Sequence, residues 1–211
     1  MVKIYTRKGD DGTTGLLYGG RVAKSSAAIE VNGAVDEAQA MLGLARAEAE
    51  PGSELDEILL VLERDLWVLM AELATAPDNR HKLAAGSSLV TPEMVGALED
   101  RIDALDERFE MPTEFVMPGQ NRVSAALDVA RTVVRRAERG FTGASFAPDS
   151  HVGPYLNRLS DLLWTMARWQ EGEHVAARSL GSAPGAPGAP GASSAPGATG
   201  APGASSAPGA S

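Results

Sequence analysis

The sequence predicts an all-α fold: a five-helix up-and-down bundle with an irregular Gly/Thr-rich loop before it and a disordered tail after it. Three observations point there. Apolar residues recur at three- and four-residue spacing in five stretches between residues 25 and 171. Capping residues, prolines and glycines punctuate those stretches. Both ends of the chain lack the periodicity.

The first helix is expected over Ser25 to Glu48, where Ile29, Val31, Val35, Ala38, Leu42 and Ala45 form a stripe that Pro51-Gly52 ends. The second runs from Ser53, a candidate cap, to Ala74, with Leu55, Ile58, Leu59, Leu62, Leu66, Leu69 and Met70 on one face. Pro77 closes it. Thr91-Pro92-Glu93 is an N-cap followed by proline at the first helical position, and opens a third helix reaching about Phe109 through Met94, Leu98, Ile102 and Leu105. The fourth, from about Asn121 to Gly140, aligns Val123, Leu127, Ala130, Val134 and Ala137. The fifth spans about Pro154 to Glu171. Short connections between these helices favour an up-and-down bundle. Residues 1 to 20 carry little expected regular structure beyond one short strand at Lys3 to Tyr5.

The bundle domain is assigned to residues 1–180 and the tail to residues 181–211. All 47 Asp, Glu, Lys and Arg residues fall in the first segment, whereas the second holds 8 of the 23 glycines and 6 of the 13 prolines. Such a tail cannot bury enough apolar area to offset its ordering entropy. Its PGASSAPGA string recurs, but Ser194 and Ser206 break the glycine register that a collagen helix requires, which leaves a solvated linker.

Charge and composition exclude whole classes. With 19 basic against 28 acidic residues the chain has a formal charge of −9, so neither nucleic acid nor an anionic membrane is the expected partner. The absence of cysteine removes disulfides, thiol nucleophiles and Cys-type metal sites, and three scattered histidines offer little for a metal. The N-terminal MVKIYTRKGDDG has no apolar h-region and every long apolar run is cut by charges, so neither a signal peptide nor a membrane span is expected. A reducing cytoplasm fits this composition.

Three segments carry more than packing information. TRKGDDGTTG, Thr6 to Gly15, with Gly19, Gly20, Arg21 and Lys24 after it, offers glycine-freed amides, hydroxyls and cations to a phosphate. It lacks P-loop spacing, and as a bare pattern fits a flexible arm equally well. ARTVVRRAERG, Ala130 to Gly140, lies inside the fourth helix, where Asp128 just before it shares one column with Arg131, Arg135 and Glu138. The column reads either as a solvated face with intrahelical ion pairs or as an anion site. The clustering of Arg135, Arg136 and Arg139 in an acidic protein favours the anion site, because guanidinium forks suit a polyphosphate. YLNRLSDLLW, Tyr155 to Trp164, sets Leu156, Leu159 and Leu163 on a core face and Asn157, Arg158 and Asp161 among polar positions.

Taken with VNGAVDEAQAMLG, Val31 to Gly43, and FVMPGQ, Phe115 to Gln120, these segments resemble the PduO-type ATP:cob(I)alamin adenosyltransferases in order and spacing over nearly all of residues 3 to 170. The resemblance implies a homotrimer with active sites between adjacent subunits, transferring the 5′-deoxyadenosyl group of ATP to cobalt with triphosphate as leaving group. It implies that Thr6, Arg7, Lys8, Gly9, Gly12, Thr13, Thr14, Gly15 and Lys24 wrap the triphosphate. Arg135, Glu138 and Asn157 would bind ATP from the neighbouring subunit, with Arg136 and Arg139 in the same motif, and Asp36 would pair with Arg131 across the interface. Phe115, with Val116 and Met117, would fill the lower face of the corrin, excluding water and the dimethylbenzimidazole ligand so that Co(II) is easier to reduce. Catalysis would then be alignment and charge neutralisation, with Arg135 and Phe115 the chief catalytic residues and Mg²⁺ held on the ATP phosphates rather than by side chains.

Two positions depart from the family's pattern. Lys8 stands where threonine or another small residue is commoner, and adds charge beside the phosphates. Gln120 stands where a second glycine is usual, and stiffens the corrin-side loop. A flavin-type reductase and an adenosylcobalamin-dependent acceptor enzyme would be partners. The resemblance also admits a carrier that delivers adenosylcobalamin, or a non-catalytic ATP-binding bundle.

Overall fold

The structure, a computed structural model, describes residue 5 and residues 7–180, and its long helices all lie within the unit Met1–Ser179. The tail, most of the expected Lys3–Tyr5 strand, and Thr6 lie outside the described residues.

Five helices carry the fold: α1 (Ala27–Ala47), α2 (Glu54–Leu73), α3 (Pro92–Asp106), α4 (Arg122–Thr142) and α5 (Val152–Glu171). Their starts follow from local chemistry. The Ser53 hydroxyl accepts from the Asp56 amide, and the Thr91 hydroxyl from the Met94 amide ahead of Pro92. Asn121 accepts from the Ser124 amide while the Ser124 hydroxyl accepts from the Asn121 amide, a reciprocal capping box. Each such cap stabilises its helix by about 1 kcal/mol. Helix α5 begins two residues before the expected Pro154, because a first-turn amide has no intrahelical partner and proline sacrifices nothing there.

Helix α4 is the centre of the bundle, packed between α1 and α5, with α2 on the outside of α1 and α3 against α5. The stripes that meet are those of the sequence pattern: Val35, Ala38 and Leu42 from α1, Leu59, Leu66 and Leu69 from α2, Leu127, Ala130 and Val134 from α4, and Leu156, Leu159 and Leu163 from α5 are all buried. Alanines on both α1 and α4 let those two axes approach closely. Two buried polar contacts fix the register between elements. The Tyr155 hydroxyl donates to Asp65 at 3.0 Å. Glu72 accepts from Arg80, the Val90 amide and the Ser150 hydroxyl at 2.6 to 2.8 Å, pinning the loop after α2 and the entry to α5.

Two expectations need correction. The connections are not uniformly short: residues 74–91, including a 3-10 turn at Pro77–Lys82, separate α2 from α3, and residues 107–121 separate α3 from α4. The N-terminal segment also holds a hairpin, β1 (Thr13–Gly15) against β2 (Arg21–Ala23), antiparallel with Thr13 opposite Ala23 and Gly15 opposite Arg21. Three-residue strands are too short to leave a period-two signature. The reversal between them uses left-handed Tyr18, Gly19 and Gly20. It is docked on the bundle where the Leu17 amide donates to the Ala74 carbonyl at 2.8 Å.

Candidate functional site

The N-terminal loop is built around a charge chain. The Thr13 hydroxyl and amide donate to Asp11 Oδ1 at 2.7 and 2.9 Å, and Arg21 donates to the Thr13 hydroxyl through Nε at 2.9 Å. The same guanidinium donates to the Lys8 carbonyl. The Thr13 hydrogen bonds, and secondarily the charge of Arg21, hold the Asp11 carboxyl below its ordinary range. Arg21 therefore fixes the loop, a role its position in the sequence did not announce. Arg7 adopts a left-handed backbone at φ 59°, which costs a non-glycine residue of order 1 kcal/mol and turns the chain into the loop. Lys24 reaches back over Gly9, where an added Cβ would lie 3.1 Å from Nζ and 3.2 Å from the Thr13 carbonyl. Thr14 and Gly15 continue into β1, and the Lys24 amide donates to the Gly12 carbonyl at 2.9 Å.

Lys24 and Arg136 share one cleft between the start of α1 and the end of α4, about 450 Å³ in volume, with Glu30, Gly33 and Glu37 around it. Arg136 is held there by an ion pair to Glu37. Arg135 and Arg139 are exposed on α4, and Glu138 turns to the α5 side, accepting from Asn157 Nδ2 at 2.8 Å. Asn157 in turn accepts from Arg158, which pairs with Glu99 of α3. Within one chain Lys24 and Arg136 thus line the same cleft, and Glu138 is bonded to Asn157. Among the described residues no hydrogen bond links Arg135, Glu138 or Asn157 to the loop.

Of the column on α4, only part is solvated. Asp128 is buried; it accepts from Arg131 at 3.1 Å and from Arg168 Nη2 at 2.6 Å. Arg168 also donates to Glu171 at 2.9 Å. The side chains of Arg168 and Glu171 are only 3% and 1% exposed, and burial pushes the Glu171 carboxyl above its ordinary range in spite of the Arg168 charge. Asp128 and Arg168 stand 40 residues apart in the chain, so no local spacing could reveal this cluster.

The cluster floors a cavity of about 770 Å³, walled by Pro112, Phe115, Val116, Trp164 and Arg178. Phe115 is 90% exposed at its mouth, and Met117 is exposed beside it. Gly119 at φ 106° makes the sharp turn after Pro118, and Gln120 does not adopt a left-handed backbone, so the extra side chain there causes no strain. A strap that sequence reasoning missed holds this loop. The Met117 amide donates to the Val175 carbonyl at 2.9 Å, and the Ala177 amide to the Phe115 carbonyl at 2.7 Å.

Asp36 lies elsewhere, in a groove of about 610 Å³ between α1 and α2 that exposes Leu60 and Trp67. Within the chain Arg131 is partnered by Asp128, not Asp36. Among the described residues no group of three or more His, Asp or Glu side chains is disposed to hold a metal ion, and no helix is long and apolar enough to cross a membrane. In chemical terms the molecule offers a cation-bearing turned loop, an exposed arginine face, and an aromatic side chain overhanging a cavity.

Comparison with known proteins bears on that combination. The family model for cobalamin adenosyltransferase matches residues 4–170. A corrinoid adenosyltransferase of Citrobacter freundii is 39% identical over 173 residues, covering 81% of this chain and 96% of the relative. One from Mycobacterium tuberculosis is 38% identical over 174 residues, covering 80% and 88%. Among solved structures, a phenylalanine-to-alanine variant of the PduO-type ATP:corrinoid adenosyltransferase of Lactobacillus reuteri, complexed with cobalamin and ATP, superposes with a TM-score of 0.74 at 26% identity, covering 83% of this chain and 99% of that one.

Proposed function

This chain belongs to the cobalamin adenosyltransferase family, and on that premise we infer that it transfers the 5′-deoxyadenosyl group of ATP to cob(I)alamin, releasing triphosphate. The observation in this molecule that supports the reading most is Phe115. A ring 90% exposed at the mouth of a large cavity leaves apolar surface in water unless a ligand covers it, and the underside of a corrin is a flat apolar partner. Phe115, Val116 and Met117 are proposed to exclude water and the dimethylbenzimidazole base from that face, which eases reduction to the cobalt nucleophile.

The displacement joins cobalt to C5′ and breaks the bond from C5′ to the triphosphate oxygen, so no proton need be taken. What the protein must do is align the three atoms and neutralise the leaving charge. The proposed assignment gives the triphosphate to the loop, Thr6, Arg7, Lys8, Gly9, Gly12 and the Thr13–Gly15 strand, with Lys24 closing over it. Arg135, Glu138, Asn157, Arg136 and Arg139 are proposed to complete the nucleotide site, Arg135 acting on the departing phosphate. Among the described residues no hydrogen bond links the loop to the Glu138–Asn157 pair, and a homotrimer is proposed in which a neighbouring subunit supplies that pair, with Asp36 paired to Arg131 of its neighbour. Burial of Asp36 and Trp67 in such a contact would cover the apolar groove on α1 and α2. Mg²⁺ is proposed to sit on phosphate oxygens, its supply of positive charge adding to that of the arginines. Residues 1–180 would form the catalytic domain, with residues 181–211 a separate tail, in a cytoplasmic enzyme supplied by a flavin-type reductase and serving an adenosylcobalamin-dependent acceptor.

Anaerobic turnover with ATP, Mg²⁺ and reduced cobalamin tests the inference. Formation of a light-sensitive alkylcobalamin at a catalytic rate supports it; ATP binding without product would favour a non-catalytic bundle, and product binding without turnover a carrier.

A further inference from the structure

Arg178 is a cation of the Phe115 cavity that the adenosyl displacement leaves without a role. The left-handed Gly172, at φ 69°, ends α5 and lets the chain double back. Residues 175–177 then run antiparallel to the corrin-side loop, Val116 pairing with Ala176 and the Ala177 amide bonding the Phe115 carbonyl at 2.7 Å. Arg178 follows at once, so the strap that bonds the Phe115 carbonyl also sets where Arg178 stands. It is exposed and lines the cavity.

The other cations of that lining are already committed. Arg131 is held by Asp128, and Arg168 by Asp128 and Glu171. Among the described residues no ion pair includes Arg178 or Glu114. Glu114, also of the lining, falls opposite Arg178 in this antiparallel register without forming an ion pair to it among the described residues, so an anion bound by Arg178 must sit on the side of the guanidinium away from that carboxylate.

We propose that Arg178 binds the phosphodiester of the nucleotide loop of cobalamin after its dimethylbenzimidazole has left the cobalt. This rests on the adenosyltransferase reading. The carboxamides around the corrin are neutral, and the phosphodiester is the anionic group tethered on the lower side. Once Phe115 displaces the base, the phosphate must stay within a tether's length of the face Phe115 occupies. A guanidinium fork there pairs with two phosphate oxygens, stabilising the base-off form and selecting corrinoids that carry the nucleotide loop.

The test uses the full chain with cobalamin and with cobinamide, which lacks the phosphodiester, comparing wild type, Arg178→Gln and Arg178→Lys in anaerobic initial-rate assays. An exposed charge-assisted contact is worth roughly tenfold in affinity. Arg178→Gln should raise KM for cobalamin by about that factor, leaving KM for ATP and for cobinamide unchanged, and Arg178→Lys should recover part of the loss. Equal losses with both corrinoids would overturn the proposal, since the strap would then only hold the loop. So would an unchanged KM for cobalamin. Wild-type protein inactive with both corrinoids would instead bring down the adenosyltransferase reading, and this proposal with it.

Discussion

Arg168→Met isolates the buried cluster beneath the corrin-side cavity. The substitution keeps most of the side-chain volume but removes the cation that bonds Asp128 at 2.6 Å and Glu171 at 2.9 Å. Breaking a buried ion pair by deleting one partner typically costs about 3–5 kcal/mol, because the remaining charge is stranded. Asp128 keeps Arg131 at 3.1 Å, so the lower end applies, about 3 kcal/mol. In a domain of this size each kcal/mol moves Tm by about 2–4 °C, which gives a drop of roughly 6–12 °C. The pH dependence has a definite sign. Burial already raises the Glu171 carboxyl in the folded state, and a carboxyl raised on folding costs stability above its folded pKa and nothing below its unfolded one. Without the Arg168 charge the Glu171 carboxyl rises further. The variant's deficit should therefore be greatest near neutral pH and shrink as pH falls through that raised value toward the ordinary carboxylate range. Thermal melts followed by circular dichroism across that range give the answer. A Tm drop under about 2 °C at neutral pH, or a deficit that grows on acidification, would refute the reasoning.

Three further outcomes can be checked on the same protein. Phe115→Ala should leave Tm and KM for ATP unchanged, since the ring is 90% exposed, yet lower the rate of adenosylation from cob(II)alamin with a mild reductant by roughly tenfold or more; an unchanged rate would remove Phe115 from the corrin site. Arg135→Ala should reduce kcat by roughly a hundredfold, the usual cost of losing one donor to developing negative charge, while sedimentation shows the assembly intact; a wild-type rate would exclude the residue from the chemistry. Gly9→Ala should raise KM for ATP without changing KM for cobalamin, because the new methyl would meet Lys24 Nζ at 3.1 Å and the Thr13 carbonyl at 3.2 Å. Steady-state kinetics with each substrate varied in turn separates the two.

Much of the fold could be read along the chain because its determinants are local. Ser53, Thr91 and Asn121 cap the helices they precede, and the stripes through Leu42, Leu66, Val134 and Leu159 are buried as their spacing requires. What the sequence concealed depends on contacts distant along it. Arg21 looks like one more basic residue after a glycine pair, and only the hairpin brings it to Thr13 and the Lys8 carbonyl. Asp128 belongs to a helical column by spacing, yet its partner Arg168 comes from α5. The strap from Val175 to Arg178 follows the last helix in a region without periodicity, and its bridge to Val116 is set by tertiary packing alone. The loop and arginine motifs were legible as chemistry, but as bare patterns they fitted a flexible arm or a solvated face. It was the order of all the motifs together that singled out one family, and the match over residues 4–170 agrees with it.

The central claim is transfer of the adenosyl group, and the most direct measurement is an anaerobic spectroscopic assay with ATP, Mg²⁺ and chemically reduced cobalamin, with triphosphate measured in parallel. We expect adenosylcobalamin, destroyed on exposure to light, accumulating in step with triphosphate over many turnovers per active site. ATP bound without either product would contradict that claim.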